Sequence, residues 1–264
     1  MAANPSWWPD LLGALAANHA VLACGMHPRS RMLGPNLTRL PPAPSAMVAL
    51  TFDDGPDPEV TPRVLDLLDA HGATASFFAI GHRAARHAAL AREIVRRGHG
   101  LENHTYRHPL SFASWHPGAM LRELLAAQHA IADACGQAPQ FFRPPAGLRS
   151  PLLDPVLAMV GLSLVSWTRR GYDTVSTRPA DVLRRLTRGL AAGDLLLLHD
   201  GRSARAEDGT PTVLAVLPGL LARLQESGLR AVSLTQALQA ASAVDAAAPA
   251  GGPASRAPVA YASR

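Results

Sequence analysis

Apolar residues along this chain follow two rhythms that alternate from residue 46 onward. Residues 46–52 form a continuous apolar run, the pattern of a strand buried on both faces, and it ends on the carboxylates Asp53 and Asp54. Residues 59–70 instead carry Val60, Val64, Leu67 and Leu68 on the spacing of one helix face and stop at Gly72. The alternation continues with strands predicted at 74–80, 100–103, 140–143, 162–167, 195–198 and 229–232. Between them helices are predicted at 82–97, 117–135, 151–160, 179–192 and 212–227. Strands that alternate with helices in this way are parallel and joined by crossovers. Polar residues gather just after strand ends contributed by the whole chain, and in a barrel those ends share one face. The expected fold is therefore α/β, a distorted (β/α) barrel with about seven parallel strands.

The ends follow neither rhythm. Residues 1–45 read as an apolar segment and linker, 46–240 as one folded domain, and 241–264 as an Ala/Pro-rich tail too poor in large apolar residues to pack, hence disordered. Residues 7–26 are apolar but carry Asp10, Asn18 and His19 and no basic residue ahead of them, which makes a poor secretory signal. Two readings stand: a docked amphipathic or core helix, or a membrane anchor. In the second, Arg29, Arg31 and Arg39 would keep the remainder of the chain on the cytoplasmic side. The expected location is the cytoplasm or the cytoplasmic face of a membrane.

Composition narrows the function. The 264 residues are 48% hydrophobic and 17% charged, enough for one large core. The net charge is +5, yet all 25 basic residues are arginine and they are scattered as pairs, so no phosphate-tracking stripe exists and nucleic acid is not an expected partner. Cys24 and Cys135 lie far apart, which excludes a disulfide framework and a cysteine metal site.

Two constellations carry chemistry. In Thr51-Phe52-Asp53-Asp54-Gly55-Pro56, adjacent carboxylates end a buried strand; a cation beside one of them would relieve their repulsion, whereas a solvated turn capping a helix is the plain alternative. In His104-Thr105-Tyr106-Arg107-His108-Pro109, imidazoles four apart lie on one face of a helical turn and can share a metal. With 11 histidines in the chain such spacing also arises by chance, but this pair follows a short strand and the polar pair Glu102-Asn103. Asp54, His104 and His108 together leave room for water and substrate, the mark of a catalytic divalent metal site. Zinc is the default, with cobalt, nickel or iron compatible with the same ligands.

TFDDGP, HTYRHP about fifty residues later, FRPPAG and LLLLHD occur in the order of the motifs of the polysaccharide deacetylases, and residues 46–235 resemble that family. The resemblance implies that Asp53 is the general base and that Asp54, His104 and His108 hold the metal. It further implies that Arg143 positions the base, and that a backbone amide just beyond the prolines, at Ala146, binds the oxyanion. His199 would protonate the leaving amine, and Leu197 would wall the acyl methyl group. The family's fourth motif usually reads DxxDW; here Arg170-Gly171-Tyr172-Asp173-Thr174 aligns with it. That makes Asp173 the partner of His199, puts Arg170 in place of the first aspartate and Thr174 in place of the tryptophan, and leaves Tyr172 as a candidate substrate contact. The third motif has Ala146 where tyrosine is usual.

The activity so implied is hydrolysis of the N-acetyl group of amino sugars in a glycan or glycoconjugate. A deacylase or deformylase of a lipid-linked sugar is a second reading on the same scaffold, and a catalytically silent glycan-binding barrel is a third.

Overall fold

The computed structural model describes residues 7–42 and 46–247. Its named strands are β1 (Met47–Asp53), β2 (Ser76–Ala79), β3 (Gly100–Asn103), β4 (Phe141–Phe142), β5 (Ser163–Leu164), β6 (Arg169–Arg170), β7 (Leu195–His199) and β8 (Arg230–Val232). All pair in parallel, in the order β5-β4-β3-β2-β1-β7-β6. β8 lies against the start of β1, at Met47–Ala49, while β2 takes its end, at Thr51–Asp53. β5 and β6 terminate the order, yet they belong to one short stretch of chain that pairs with β4 at its start and with β7 at its end. That stretch curls the sheet into a distorted barrel. Between the strands run α2 (Thr61–Ala70), α3 (Gly81–Arg86), α4 (Ala88–Arg96), α5 (Pro117–Cys135), α6 (Leu153–Val160), α7 (Pro179–Thr187) and α8 (Thr212–Glu226), flanked by α1 (Trp8–Met26) and α9 (Leu234–Ala247).

Side chains along a strand alternate between its faces, and this parity decides which residues reach the site. On β1, Val48, Leu50 and Phe52 pack outward with Leu196 and Leu198 of β7, Val64, Leu65 and Leu68 of α2, and Val213, Leu217 and Leu220 of α8. Met47, Ala49 and Leu195 instead join the inner cluster with Phe78 and Phe141. The inward set continues through Thr51 and Leu197 to Asp53 and His199, which are partners in the β1–β7 register. One strand pair thus delivers a carboxylate and an imidazole to the same end of the barrel.

Several expectations need correction. The helix expected over 82–97 breaks at His87, whose backbone (φ −118°, ψ 48°) leaves the helical region, and α7 stops at Thr187. The strand expected at 162–167 is paired only at Ser163–Leu164, and β6, made of two arginines, had no apolar signal. The chain beyond residue 240 is not wholly disordered: α9 runs to Ala247, because alanine is the strongest helix former and Leu234, Ala237 and Ala241 bury one face. Residues 248–264 lie outside the described residues.

The boundary at 45/46 also moves. Leu37 N–H donates to Leu164 O and Leu37 O accepts from Ser166 N–H, both at 2.9 Å; Leu40 is buried, and Arg39 pairs with Asp194 at 2.7 Å. Residues 28–42 are therefore part of the domain. α1 is exposed along nearly its whole described length, with only Gly25 buried, so it is neither docked nor a core helix; its apolar residues lie all round, interrupted by Asn18 and His19. No described helix is long and apolar enough to cross a membrane.

Leu196 is fully buried between sheet and helices. Leu196→Ala is expected to destabilise the fold by about 2–5 kcal/mol through lost burial and the cavity left behind, measured by urea unfolding.

Candidate active site

The strand ends carry a backbone that L residues avoid. Asp54, Thr105, His108, Ala146, Tyr172 and Arg202 all have positive φ, between 55° and 73°, in the left-handed region where a non-glycine residue persists only when its surroundings hold it. Two glycines make the close approaches possible. A Cβ on Gly55 would sit 2.1 Å from Asp200 Oδ2, and one on Gly201 would sit 2.3 Å from the carbonyl oxygen of Asp54. The loops after β1 and β7 therefore touch backbone to backbone, bringing Asp54 beside His199. Asp200 is fully buried and accepts from Thr61 Oγ1 at 2.6 Å; burial pushes its carboxyl up to about 7.

The histidine motif is not a helical turn, contrary to expectation. Thr105 and His108 are left-handed, and the loop is pinned instead by Thr105 N–H to Asn103 Oδ1 (2.9 Å), Arg107 N–H to Glu123 Oε1 (2.6 Å) and His108 N–H to Thr105 Oγ1 (2.9 Å). Both rings nonetheless converge on one carboxylate. His108 Nε2 lies 3.1 Å and His104 Nε2 3.5 Å from Asp54 Oδ1. All three residues are buried, and their ligand atoms lie within 4.8 Å of one another.

Lone pairs decide what this cluster can hold. His104 Nδ1 donates to the carbonyl oxygen of Arg143 at 2.6 Å, which leaves Nε2 of the neutral ring unprotonated and aimed at Asp54. Asp54 Oδ1 is buried without a hydrogen-bond partner. Burial works against ionised Asp54, but the imidazoles of His104, His108 and His199 around it outweigh burial and hold the carboxyl well below the usual range. Burial, followed by the neighbouring His104, pushes His108 down to about 4, so that ring is neutral at physiological pH. Electron-pair donors gathered around a buried, unpartnered carboxylate oxygen fit a divalent cation.

Asp53 faces a different neighbour. Arg143, fully buried, donates through Nη1 to Asp53 Oδ1 at 2.5 Å and to Thr51 Oγ1 at 3.0 Å, and through Nη2 to Ser166 O at 3.0 Å, with its guanidinium 4.0 Å over the Phe78 ring. On the adjoining strand, His199 Nδ1 lies 2.9 Å from Asp173 Oδ1, while Asp173 Oδ2 accepts the His199 backbone N–H at 2.8 Å. Burial disfavours imidazolium, but the charge and hydrogen bond of Asp173, helped by Asp53 and Asp54, prevail and raise the His199 pKa.

These groups open on one cavity of about 290 Å³, lined by Asp53, Asp54, His104, His108, Ala146, Leu197 and His199. Trp167, Arg170, Thr174, Arg202, Leu110 and Gly147 complete its lining. Tyr172, expected as a substrate contact, does not line it. That side chain is half-exposed and lies under the Arg170 guanidinium at 5.0 Å, because its left-handed backbone turns it away. Sequence reasoning missed Trp167, which read as strand core, and Arg202, which lies three residues past His199 on the same loop.

Comparison with known proteins gives the family. A family described as polysaccharide deacetylase matches residues 41–165. A chitooligosaccharide deacetylase of Bradyrhizobium sp. is 34% identical over 72% of this chain and 89% of its own length. The chain belongs to the polysaccharide deacetylase family. A peptidoglycan-N-acetylglucosamine deacetylase of Bacillus cereus is 31% identical over 73% of this chain and 88% of its own. Among solved structures, a family 4 carbohydrate esterase pseudoenzyme from Bacillus anthracis superposes with a TM-score of 0.69 at 24% identity, covering 77% of this chain and 68% of that one; at such identity the likeness speaks for fold alone. The matched segment of the polysaccharide deacetylase family ends before Asp173 and His199, and the β1–β7 register sets His199 beside Asp53, with Asp173 paired to it.

If Asp54, His104 and His108 form a metal site, His108→Ala should reduce bound zinc well below one per chain without unfolding the protein, as read by equilibrium dialysis with elemental analysis and by circular dichroism.

Proposed function

We propose that this chain is a metal-dependent N-deacetylase that removes the acetyl group from an amino sugar in a glycan or glycoconjugate. The observation that carries the reading is the register pair Asp53–His199, which sets a carboxylate and a raised-pKa imidazole side by side on one cavity with the Asp54–His104–His108 cluster. The relatives, deacetylases of chitooligosaccharide and peptidoglycan, support the substrate class.

Asp54, His104 and His108 would hold the metal, with zinc the default for two imidazoles and a carboxylate. When bound, it supplies Lewis acidity to the amide carbonyl and to water. Asp53 accepts the proton of the attacking water, and Arg143 holds that carboxylate at fixed orientation. The developing oxyanion is met by the Ala146 backbone N–H, in a left-handed turn (φ 55°) on the cavity wall. His199, whose protonated form Asp173 favours, donates to the nitrogen, so the leaving group departs as a neutral amine. Leu197, on the inward face of β7, walls the acetyl methyl. All five polar groups that a silent barrel would be expected to lose in part are retained.

Zinc-loaded protein should release acetate from acetylated chitooligosaccharides, and chelation should stop it. Asp53→Asn should lower kcat by about 10²–10⁴ while the protein still binds metal. Failure of every acylamino sugar with loaded protein would refute the reading.

Asp173→Asn tests the acid. The His199 pKa is raised in the folded protein, and the ring acts while protonated, so activity falls as pH rises through that pKa. Removing the Asp173 charge lowers the pKa, and the alkaline limb of kcat/KM should move to lower pH. An unmoved limb would take Asp173 out of the mechanism.

A further inference from the structure

Two arginines on the cavity have no role in the chemistry above. Arg170, at the end of β6, and Arg202, on the loop after β7, both line the space that holds Asp53, Asp54 and His199. We propose that they form an anion-recognising rim, and that the substrate is an acylamino sugar bearing an oxyanion, phosphate or carboxylate, next to the acylated carbon. The proposal rests on the deacetylase reading and names the substrate class of that same site.

Arg170 is the first observation. Three other arginines buried or half-buried around the barrel have acidic partners, Arg143 with Asp53, Arg149 with Asp154 and Arg169 with Asp194, and half-buried Arg83 donates to the backbone carbonyl of Asp54. Arg170 has neither ion pair nor hydrogen bond among the described residues, and its Nε is buried without a partner. Its guanidinium is held instead by aromatic faces, 5.4 Å from the Trp167 ring and 5.0 Å from the Tyr172 ring. Stacking fixes the group in position but leaves its charge and its fork of donors unneutralised.

Arg202 is the second, independent observation. Its backbone is left-handed (φ 57°), and its Nη1 lies 3.1 Å from His108 Nδ1. A histidine that gives its Nε2 lone pair to a cation carries its proton on Nδ1, and that N–H ordinarily meets a carbonyl, carboxylate or water oxygen. His104 meets this rule through the carbonyl of Arg143, whereas His108 Nδ1 meets the Arg202 guanidinium, which can only donate and so takes up the Nδ1 lone pair. A His108 ring that turns its Nε2 lone pair to a cation withdraws that acceptor, and Arg202, which has no acidic partner among the described residues, is then free to meet a charged oxygen in the cavity it lines.

Charge balance points the same way. Among the lining residues the only acids are Asp53 and Asp54. Asp53 is already paired with Arg143, and Asp54 is the carboxylate aimed at the metal position. Arg170 and Arg202 thus leave the mouth with surplus positive charge and no protein acid to meet it. At about 290 Å³ the cavity lies at the small end of ligand sites, so the anion must belong to the sugar undergoing deacetylation or to its immediate linkage.

The test compares full-length, zinc-loaded protein on three substrates: N-acetylglucosamine 1-phosphate, N-acetylmuramic acid and the neutral methyl glycoside of N-acetylglucosamine. At least one anionic sugar should exceed the neutral one by about tenfold or more in kcat/KM, with the preference shrinking as salt rises. Preference for the phosphate assigns the oxyanion to an anomeric phosphate; preference for the muramic acid assigns it to a carboxylate. Arg170→Gln, which touches no metal ligand, and Arg202→Gln should each reduce that ratio severalfold, with metal content measured in parallel. A readout independent of turnover is calorimetric binding of inorganic phosphate to metal-free protein, which should weaken in both variants. Equal kcat/KM for charged and neutral sugars together with unaltered phosphate binding in the variants would overturn the rim and leave the deacetylase standing. Hydrolysis of none of the sugars would overturn the deacetylase, while phosphate binding lost in the variants would still uphold the rim.

Discussion

The buried pair between Arg143 and Asp53 is the contact on which the rest of the site depends. A guanidinium inside the barrel carries a large desolvation cost, which a partner offsets only when the geometry is good and the remaining N–H groups are satisfied. Here they are: Thr51, Ser166 and Val165 take further donors, and Phe78 covers one face. The pair ties β4 to β1 through the barrel interior, and the Arg143 carbonyl accepts from His104. One residue thereby orients the base through its side chain and sets the tautomer of a metal-cluster imidazole through its backbone. Removing either charge would leave the other buried and unpaired, a defect of about 3–5 kcal/mol in comparable pairs.

From that fixed point the site divides its acid and base by environment. Asp53 and His199 are strand neighbours in register, and both point inward by parity. Asp53 lies against an arginine, while His199 lies against Asp173, which grips both its ring and its backbone N–H. Opposite partners on adjacent strands suit one group to accept a proton and the other to give one up. The left-handed residues after the strands then aim Asp54, His108, Ala146 and Arg202 at the shared space.

Much of this was legible in the sequence, because the signals were local. Strong apolar runs ending on polar clusters identified β1 and β7, and helix periodicity identified α5 and α8. What was not legible depended on partners distant in sequence. β6 is two arginines that become a strand only because Leu196 and Leu197 lie beside them. Residues 28–42, rich in proline and polar groups, join the domain through backbone hydrogen bonds to Leu164 and Gly193, which leave no periodic trace. The spacing of His104 and His108 fits a helical turn as well as the loop that forms. The choice falls to Thr105, whose Oγ1 takes the His108 N–H that a helical turn would give to the His104 carbonyl, and to Asn103 and Glu123, which hold the N–H groups of Thr105 and Arg107.

The fourth motif joins these strands of reasoning. Where the family pattern has a carboxylate, Arg170 puts a positive charge on the cavity that His199 also lines, and a cation there works against a protonated imidazole. The site tolerates it because Asp173 holds His199 with both oxygens and because Asp53 and Asp54 add negative charge from the neighbouring strand. In the proposed mechanism Asp173 alone serves His199, which leaves Arg170, three residues earlier, without a part in the chemistry. An arginine stacked on Trp167 and Tyr172, without an acid of its own, then reads as recognition: in the rim proposed above it would leave the proposed deacetylation intact and set the charge of the molecule that the cavity admits.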